Sequence, residues 1–264
     1  MMTAAALGAA LALHAPVVVH DERERSPLAP VAQAPAAVPG LDPDPRAAVY
    51  GRVVRRDDGG AWLQYWLFYA DQDQDRGIVR TGRHAGDWEM VQYRLDARGR
   101  PREAVYAQHS IAERCDWGTV QQRDGRPVVY AARGAHASYF RPGTRDRMWP
   151  DPNDEANGRG QVVPARVVPI SESSPAWMRW PEPWGGARAR WWNPAEQDSP
   201  RGPAFQQQGR WSDPDGWARA ATECRAECDR VGECDGRERA MAGMGGAMLL
   251  ALVASAWWRR RRRE

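Results

Sequence analysis

Ala61-Trp62-Leu63-Gln64-Tyr65-Trp66-Leu67-Phe68-Tyr69 is an almost unbroken aromatic and aliphatic run, bounded by Gly59-Gly60 and by Asp71. A run so short, with no polar face, reads as a strand covered on both sides. Working outward, further strands are expected at 88–95, 104–108, 127–132 and 162–170. Turn signals such as Ala97-Arg98-Gly99-Arg100-Pro101 and Arg123-Asp124-Gly125-Arg126-Pro127 separate them. No stretch within 49–170 keeps a helical period for more than about two turns. Residues 48–218 are therefore expected to form an all-β domain, a β-sandwich with long irregular loops.

The flanks differ in kind. Residues 1–20 contain a small-residue apolar stretch, Ala4 to Ala15, like the core of a secretory signal peptide but without its basic start. Residues 21–47 are rich in Pro, Ala and charge and read as a disordered linker. At the other end, 219–239 is a Cys-containing juxtamembrane segment and 240–258 is apolar over the length of a transmembrane helix. The Arg259–Arg263 block in the tail 259–264 marks a cytoplasmic stop, with Trp257-Trp258 at the interface. This topology places the folded body outside the cytoplasm, in the cell envelope, and requires export.

Charge excludes one function class. Every Lys+Arg residue is arginine, and setting aside the five terminal arginines and Glu264 takes the formal charge from +3 to −1. The basicity belongs to the anchor, so nucleic-acid binding loses its main argument.

The chemistry concentrates in Gly82-Arg83-His84-Ala85-Gly86-Asp87-Trp88-Glu89. If Asp87-Trp88-Glu89 is extended, both carboxylates project to one face and the indole to the other. Like charges so close need a cation, an arginine or a shared proton between them. Carboxylates with one imidazole suit a divalent cation, Ca2+ or Mg2+ ahead of structural zinc. The ordinary alternative is a salt-bridged network with Arg80 or Arg83. Asp71-Gln72-Asp73-Gln74-Asp75 begins like an EF-hand loop, but Arg76 stands where that loop needs Gly and Gly82 where it needs Glu, so the EF-hand is rejected. His109, His136 and Ser138 follow predicted strands and could reach the same end of the sandwich as ligand-binding groups; for a lone histidine, a buried ring bonded to backbone is equally common. The tryptophans at 177, 180, 184, 191 and 192 are expected to pin a long irregular loop onto the sandwich, with sugar stacking as the alternative.

Several of these motifs carry a resemblance. Tyr65-Trp66-Leu67-Phe68-Tyr69, His84-Ala85-Gly86-Asp87-Trp88-Glu89, Gln108-His109-Ser110, Pro127-Val128-Val129-Tyr130 and Gly134-Ala135-His136-Ala137-Ser138-Tyr139 resemble the vacuolar protein sorting-associated protein 62 family. More distantly, the central motif and the two later histidines resemble the necrosis- and ethylene-inducing-like proteins. That second resemblance implies a β-sandwich in which His84, Asp87 and Glu89 hold a divalent cation used in recognising a sphingolipid head group. It also implies an upstream acid, for which Asp71, Asp73 and Asp75 are candidates. The tail, with its Cys, Gly-rich stretch, apolar span and Arg cluster, resembles bacterial tripartite sorting signals and implies Cys234 as the anchoring residue.

The expected function is an exported, envelope-anchored binding module for a lipid or glycan head group, its metal site built from His84, Asp87, Glu89, Asp73 and Asp75. A metal-dependent hydrolase acting on a phosphoester or glycan, and a structural envelope protein with a loop-stabilising ion, are the competing readings.

Overall fold

The computed structural model describes residues 2–74, 82–145, 147, 152–164, 166–186, 197–206 and 209–224. Asp75, Cys234 and the expected span at 240–258 lie outside the described residues. Among those described, no helix is long and apolar enough to cross a membrane.

In chain order the elements are α1 (Ala4–Leu13), β1 (Val17–His20), β2 (Ala48–Arg55), β3 (Ala61–Gln72), β4 (His84–Leu95), β5 (Pro101–Gln108), β6 (Ile111–Asp116), β7 (Gln122–Arg123), β8 (Arg126–Ala131), β9 (Ser138–Tyr139), β10 (Gly143–Arg145), β11 (Asp154–Ala156), β12 (Val162–Pro164), β13 (Arg166–Pro169), α2 (Pro214–Ala220) and β14 (Thr222–Glu223). Two sheets carry the fold. The larger has the order β13-β2-β3-β4-β5-β6-β14; the smaller has β12-β1-β8-β7, with β9 paired to β8. The expected β-sandwich is found.

The run 61–69 lies in β3, near the middle of the larger sheet, and both of its faces are covered. Leu63, Tyr65, Leu67 and Tyr69 pack toward the smaller sheet with Val18, Val129 and Val163. Trp62, Trp66 and Phe68 point the other way, into a second core closed by Val31, Trp177 and Trp184 from the connecting chain and by Trp217 of α2. An aromatic strand needs this arrangement, because with period-2 alternation one packed sheet could bury only half of it.

One expectation about the N-terminal flank needs correction. The segment 21–47 is not an unpacked linker: Leu28, Ala29, Val31 and Val38 are buried, the Ala29 N–H donates to the Phe68 carbonyl, and the Tyr50 hydroxyl accepts the Val31 N–H. Its few apolar side chains suffice because Leu28 enters the core between the sheets and Ala29, Val31 and Val38 meet the second face of the large sheet, surfaces that composition could not reveal. Ahead of it, residues 2–20 pack against the sandwich. Thr3 caps α1 by accepting the Ala6 N–H, Leu7 and Leu11 are buried, and β1 pairs parallel with β8 and antiparallel with β12.

A disulfide ties the C-terminal flank to the larger sheet. β14 lies parallel to β6 with Glu223 opposite Arg114, which brings Cys224 beside Cys115 in a disulfide with Cα atoms 5.2 Å apart. Spacing alone could not have identified that pair, separated by 109 residues.

Candidate functional site

Strand β4 delivers the carboxylates as alternation predicts. Asp87 stands opposite Tyr69 and Glu89 opposite Leu67 on the face toward the smaller sheet, whereas Trp88 packs with Phe68 and Trp184 on the other. Gly86 sits between His84 and Asp87 with φ +66, and a Cβ there would lie 3.1 Å from the Trp184 backbone. Only glycine accepts both that conformation and that approach. His84 Nε2 lies 4.0 Å from Asp87 Oδ1. Gly86→Ala is expected to cost at least about 1–2 kcal/mol from the left-handed backbone alone, measured by urea denaturation.

Asp87 is 5 % and Glu89 4 % exposed, and both line a cleft of about 680 Å3 together with His84, His109, Gln72 and Arg210. The wall is chain from the Trp-rich and Ser199-Pro200-Arg201 segments. Behind Asp87 lies a buried relay. His136 Nδ1 donates to Asp87 Oδ2 at 3.0 Å, and its Nε2 lies 3.8 Å from Glu24 Oε1. The imidazole stacks on Tyr69 with centroids 3.9 Å apart. Burial works against charge on His136, but its bonds to Asp87 and Glu24 outweigh that and push its pKa up to about 9. Glu24, also opposed by burial, is drawn down to about 2 by His136 and by the backbone N–H groups of Gly134 and Ser26.

Glu89 behaves oppositely. Burial, then the neighbouring Asp87 charge, raise its pKa well above the usual carboxylate range, and its Oε2 has no hydrogen-bond partner. His84 Nδ1 and Arg210 Nε are likewise buried without partners. At the rim, His109 Nε2 donates to Asp154 Oδ2 at 2.7 Å, and the Tyr139 hydroxyl donates to the same oxygen at 2.6 Å. Asp154 is fully buried; burial would raise it, yet His109 and Tyr139 hold it below the ordinary value. His109 and His136 both have positive φ, 58 and 56, a conformation uncommon outside glycine.

The expected site residues are therefore only partly brought together. His84, Asp87, Glu89 and His109 share the cleft. His136 and Ser138 are fully buried and do not line it: pairing of β9 with β8 turns Ser138 inward, and His136 serves Asp87 from behind. Asp73 is exposed and also outside the lining; its carbonyl packs against Gly134. Among the described residues, no three His, Cys, Asp or Glu side chains stand close enough to hold a metal ion as they are. Sequence reasoning missed Glu24, from the presumed linker, Asp154, from the short strand β11, and Arg210, from irregular chain, none of them marked by a motif. The tryptophan expectation fits Trp177 and Trp184, which are buried in the second core; Trp191 and Trp192 lie outside the described residues.

The family model described as vacuolar protein sorting-associated protein 62 matches residues 74–147. This is the resemblance the motifs predicted. The Vps62-matching segment contains His84, Asp87, Glu89, His109 and His136, but not Glu24, Asp154 or Arg210. Among solved structures the chain is similar to a protein titled NLPPya in complex with glucosamine, at 16% identity and TM-score 0.40, covering 63% of this chain and 74% of that one. It is similar to the non-toxic HaNLP3 protein at 14% identity and TM-score 0.42, covering 68% and 81%. A third is necrosis and ethylene inducing protein 2 from the causal agent of cocoa's witches' broom disease, at 13% identity and TM-score 0.38, covering 61% and 72%. No curated protein matches the chain.

Proposed function

We propose that this chain is an envelope-anchored binding module whose cleft takes a hydroxyl-rich lipid or glycan head group, with a divalent cation, Ca2+ or Mg2+, held by His84, Asp87 and Glu89. One observation carries the reading: His84 Nδ1, Glu89 Oε2 and Arg210 Nε are buried without partners on residues that line one cleft. Each such atom costs roughly 1–3 kcal/mol, and a ligand supplying the missing bonds accounts for all three together. The donor chemistry, two carboxylates and an imidazole, fits a cation that prefers oxygen. When bound, the ion would supply positive charge between the two carboxylates and a point of attachment for ligand oxygens.

The chain's own groups do the rest. His136 fixes the orientation of Asp87 through their hydrogen bond, as outer partners commonly do for ligating side chains. Glu89 offers an acceptor, and Arg210 and Gln72 offer donors, to hydroxyls entering the cleft. The Cys115–Cys224 disulfide supports an oxidising compartment, and the apolar run 240–258 before the arginines supports anchorage to the membrane.

Calcium is expected to raise the melting temperature. At about 100 times the dissociation constant the gain is ~2.7 kcal/mol, a shift of several degrees over the same protein in chelator. Asp87→Asn should abolish the difference. Identical melting in calcium, magnesium and chelator would remove the cation from the proposal.

A metal-dependent hydrolase is the second reading, favoured by His109, a partly exposed imidazole oriented by the buried Asp154 carboxylate. Such a pair is suited to moving a proton at the cleft rim. Turnover of a phosphoester or glycan substrate that His109→Ala eliminates would select it over the binding module.

A further inference from the structure

Arg210 is buried in an unusual way. It lines the cleft yet is only 4 % exposed. One Nη donates to the His109 carbonyl, the guanidinium lies 5.6 Å over the Trp217 ring, and Nε has no partner. Glu89, whose charge interacts with it, makes no hydrogen bond to it and keeps Oε2 unbonded. A guanidinium removed from water with no hydrogen-bonded carboxylate, as here among the described residues, is strongly unfavourable.

The placement is nevertheless built with care by the rest of the fold. Gln64 Nε2 donates to the Arg210 carbonyl at 2.6 Å and to Gln92 Oε1 at 3.0 Å. Arg52 Nη1 donates to the Trp211 carbonyl at 2.6 Å, and Gln92 Nε2 to the Pro214 carbonyl at 3.0 Å. Three polar side chains of β2, β3 and β4 thus hold the backbone that carries Arg210 into the cleft, and two of them, Gln64 and Gln92, are themselves fully buried. A cation so firmly positioned and so poorly paired is completed by an anion from outside the chain. Arginine offers planar, forked N–H donors matched to carboxylate and phosphoryl oxygens.

We propose that Arg210 receives an anionic oxygen group, carboxylate or phosphoryl, on a sugar-sized head group, so that the cleft selects acidic over neutral sugars. The inference rests on the binding-module reading and gives its ligand a charge. The test is calorimetric titration of the full chain in calcium with glucose, glucuronate and glucose 1-phosphate, the last two separating carboxylate from phosphoryl. Wild type should bind at least one acidic sugar about tenfold or more tightly than glucose, as expected for charge-assisted hydrogen bonds. Arg210→Gln should bring its affinity for the acidic sugars to within roughly twofold of its own affinity for glucose. The wild-type ratio needs no variant, so it decides the matter even if Arg210→Gln does not fold. Equal binding of all three sugars would overturn this inference and leave the binding module standing. Binding of none would overturn both.

Discussion

His136→Ala is expected to destabilise the protein by about 3–5 kcal/mol, the range for removing one partner of a buried ion pair. The ring is fully buried, bonded to Asp87, near Glu24 and stacked on Tyr69. Its loss leaves two carboxylates with low exposure and no cation between them. The effect should be coupled to Asp87. In a double-mutant cycle with Asp87→Asn, the combined loss should fall short of the sum of the single losses by roughly 0.5–3 kcal/mol. Urea denaturation of the four proteins checks this, and strict additivity would show that the hydrogen bond carries little. Calcium-dependent stabilisation should weaken in His136→Ala as well, because Asp87 then loses the partner that orients it.

Trp184→Ala should have an effect of similar size by a different route, about 3–5 kcal/mol for a fully buried indole. The ring contacts Phe68, Trp88 and Trp177, and its backbone N–H donates to the Pro200 carbonyl. The same residue therefore seals the second core and joins the two irregular segments that wall the cleft. Ligand affinity should fall along with stability, whereas Trp66→Ala, at a core position that bonds to neither wall segment, should lower stability and leave affinity largely intact. Denaturation curves and sugar titrations on both variants distinguish the roles. Equal affinity in the two would separate the Trp184 anchor from the cleft wall.

Sequence and structure divided the explanation unevenly. Asp87 and Glu89 were legible as a pair because strand alternation is local, needing only that 87–89 be extended. His84 joined them through Gly86, whose left-handed conformation is again a property of one residue and its neighbours. Glu24 was illegible for the opposite reason. It reaches His136 across 112 positions of sequence by way of a segment with too little apolar content to suggest order, and that segment packs only because an aromatic sheet face stands ready for it. Arg210, which lines the cleft, and Asp154, which stands behind His109, share this character, since each is positioned by chain with no periodicity to read.

By itself the amino-acid order determined the β character of the chain, the doubly covered aromatic strand, the face on which the two carboxylates lie and the motifs shared with the Vps62 family. These follow from backbone geometry over a few residues. Tertiary structure alone decided that His136 stands behind Asp87, that Cys115 pairs with Cys224, that the segment 21–47 packs with the sandwich, and that Arg210 lines the same cleft as the carboxylates. Such outcomes depend on which distant surfaces meet, and burial sets the charge and the unmet hydrogen bonds of each group only once those surfaces have closed.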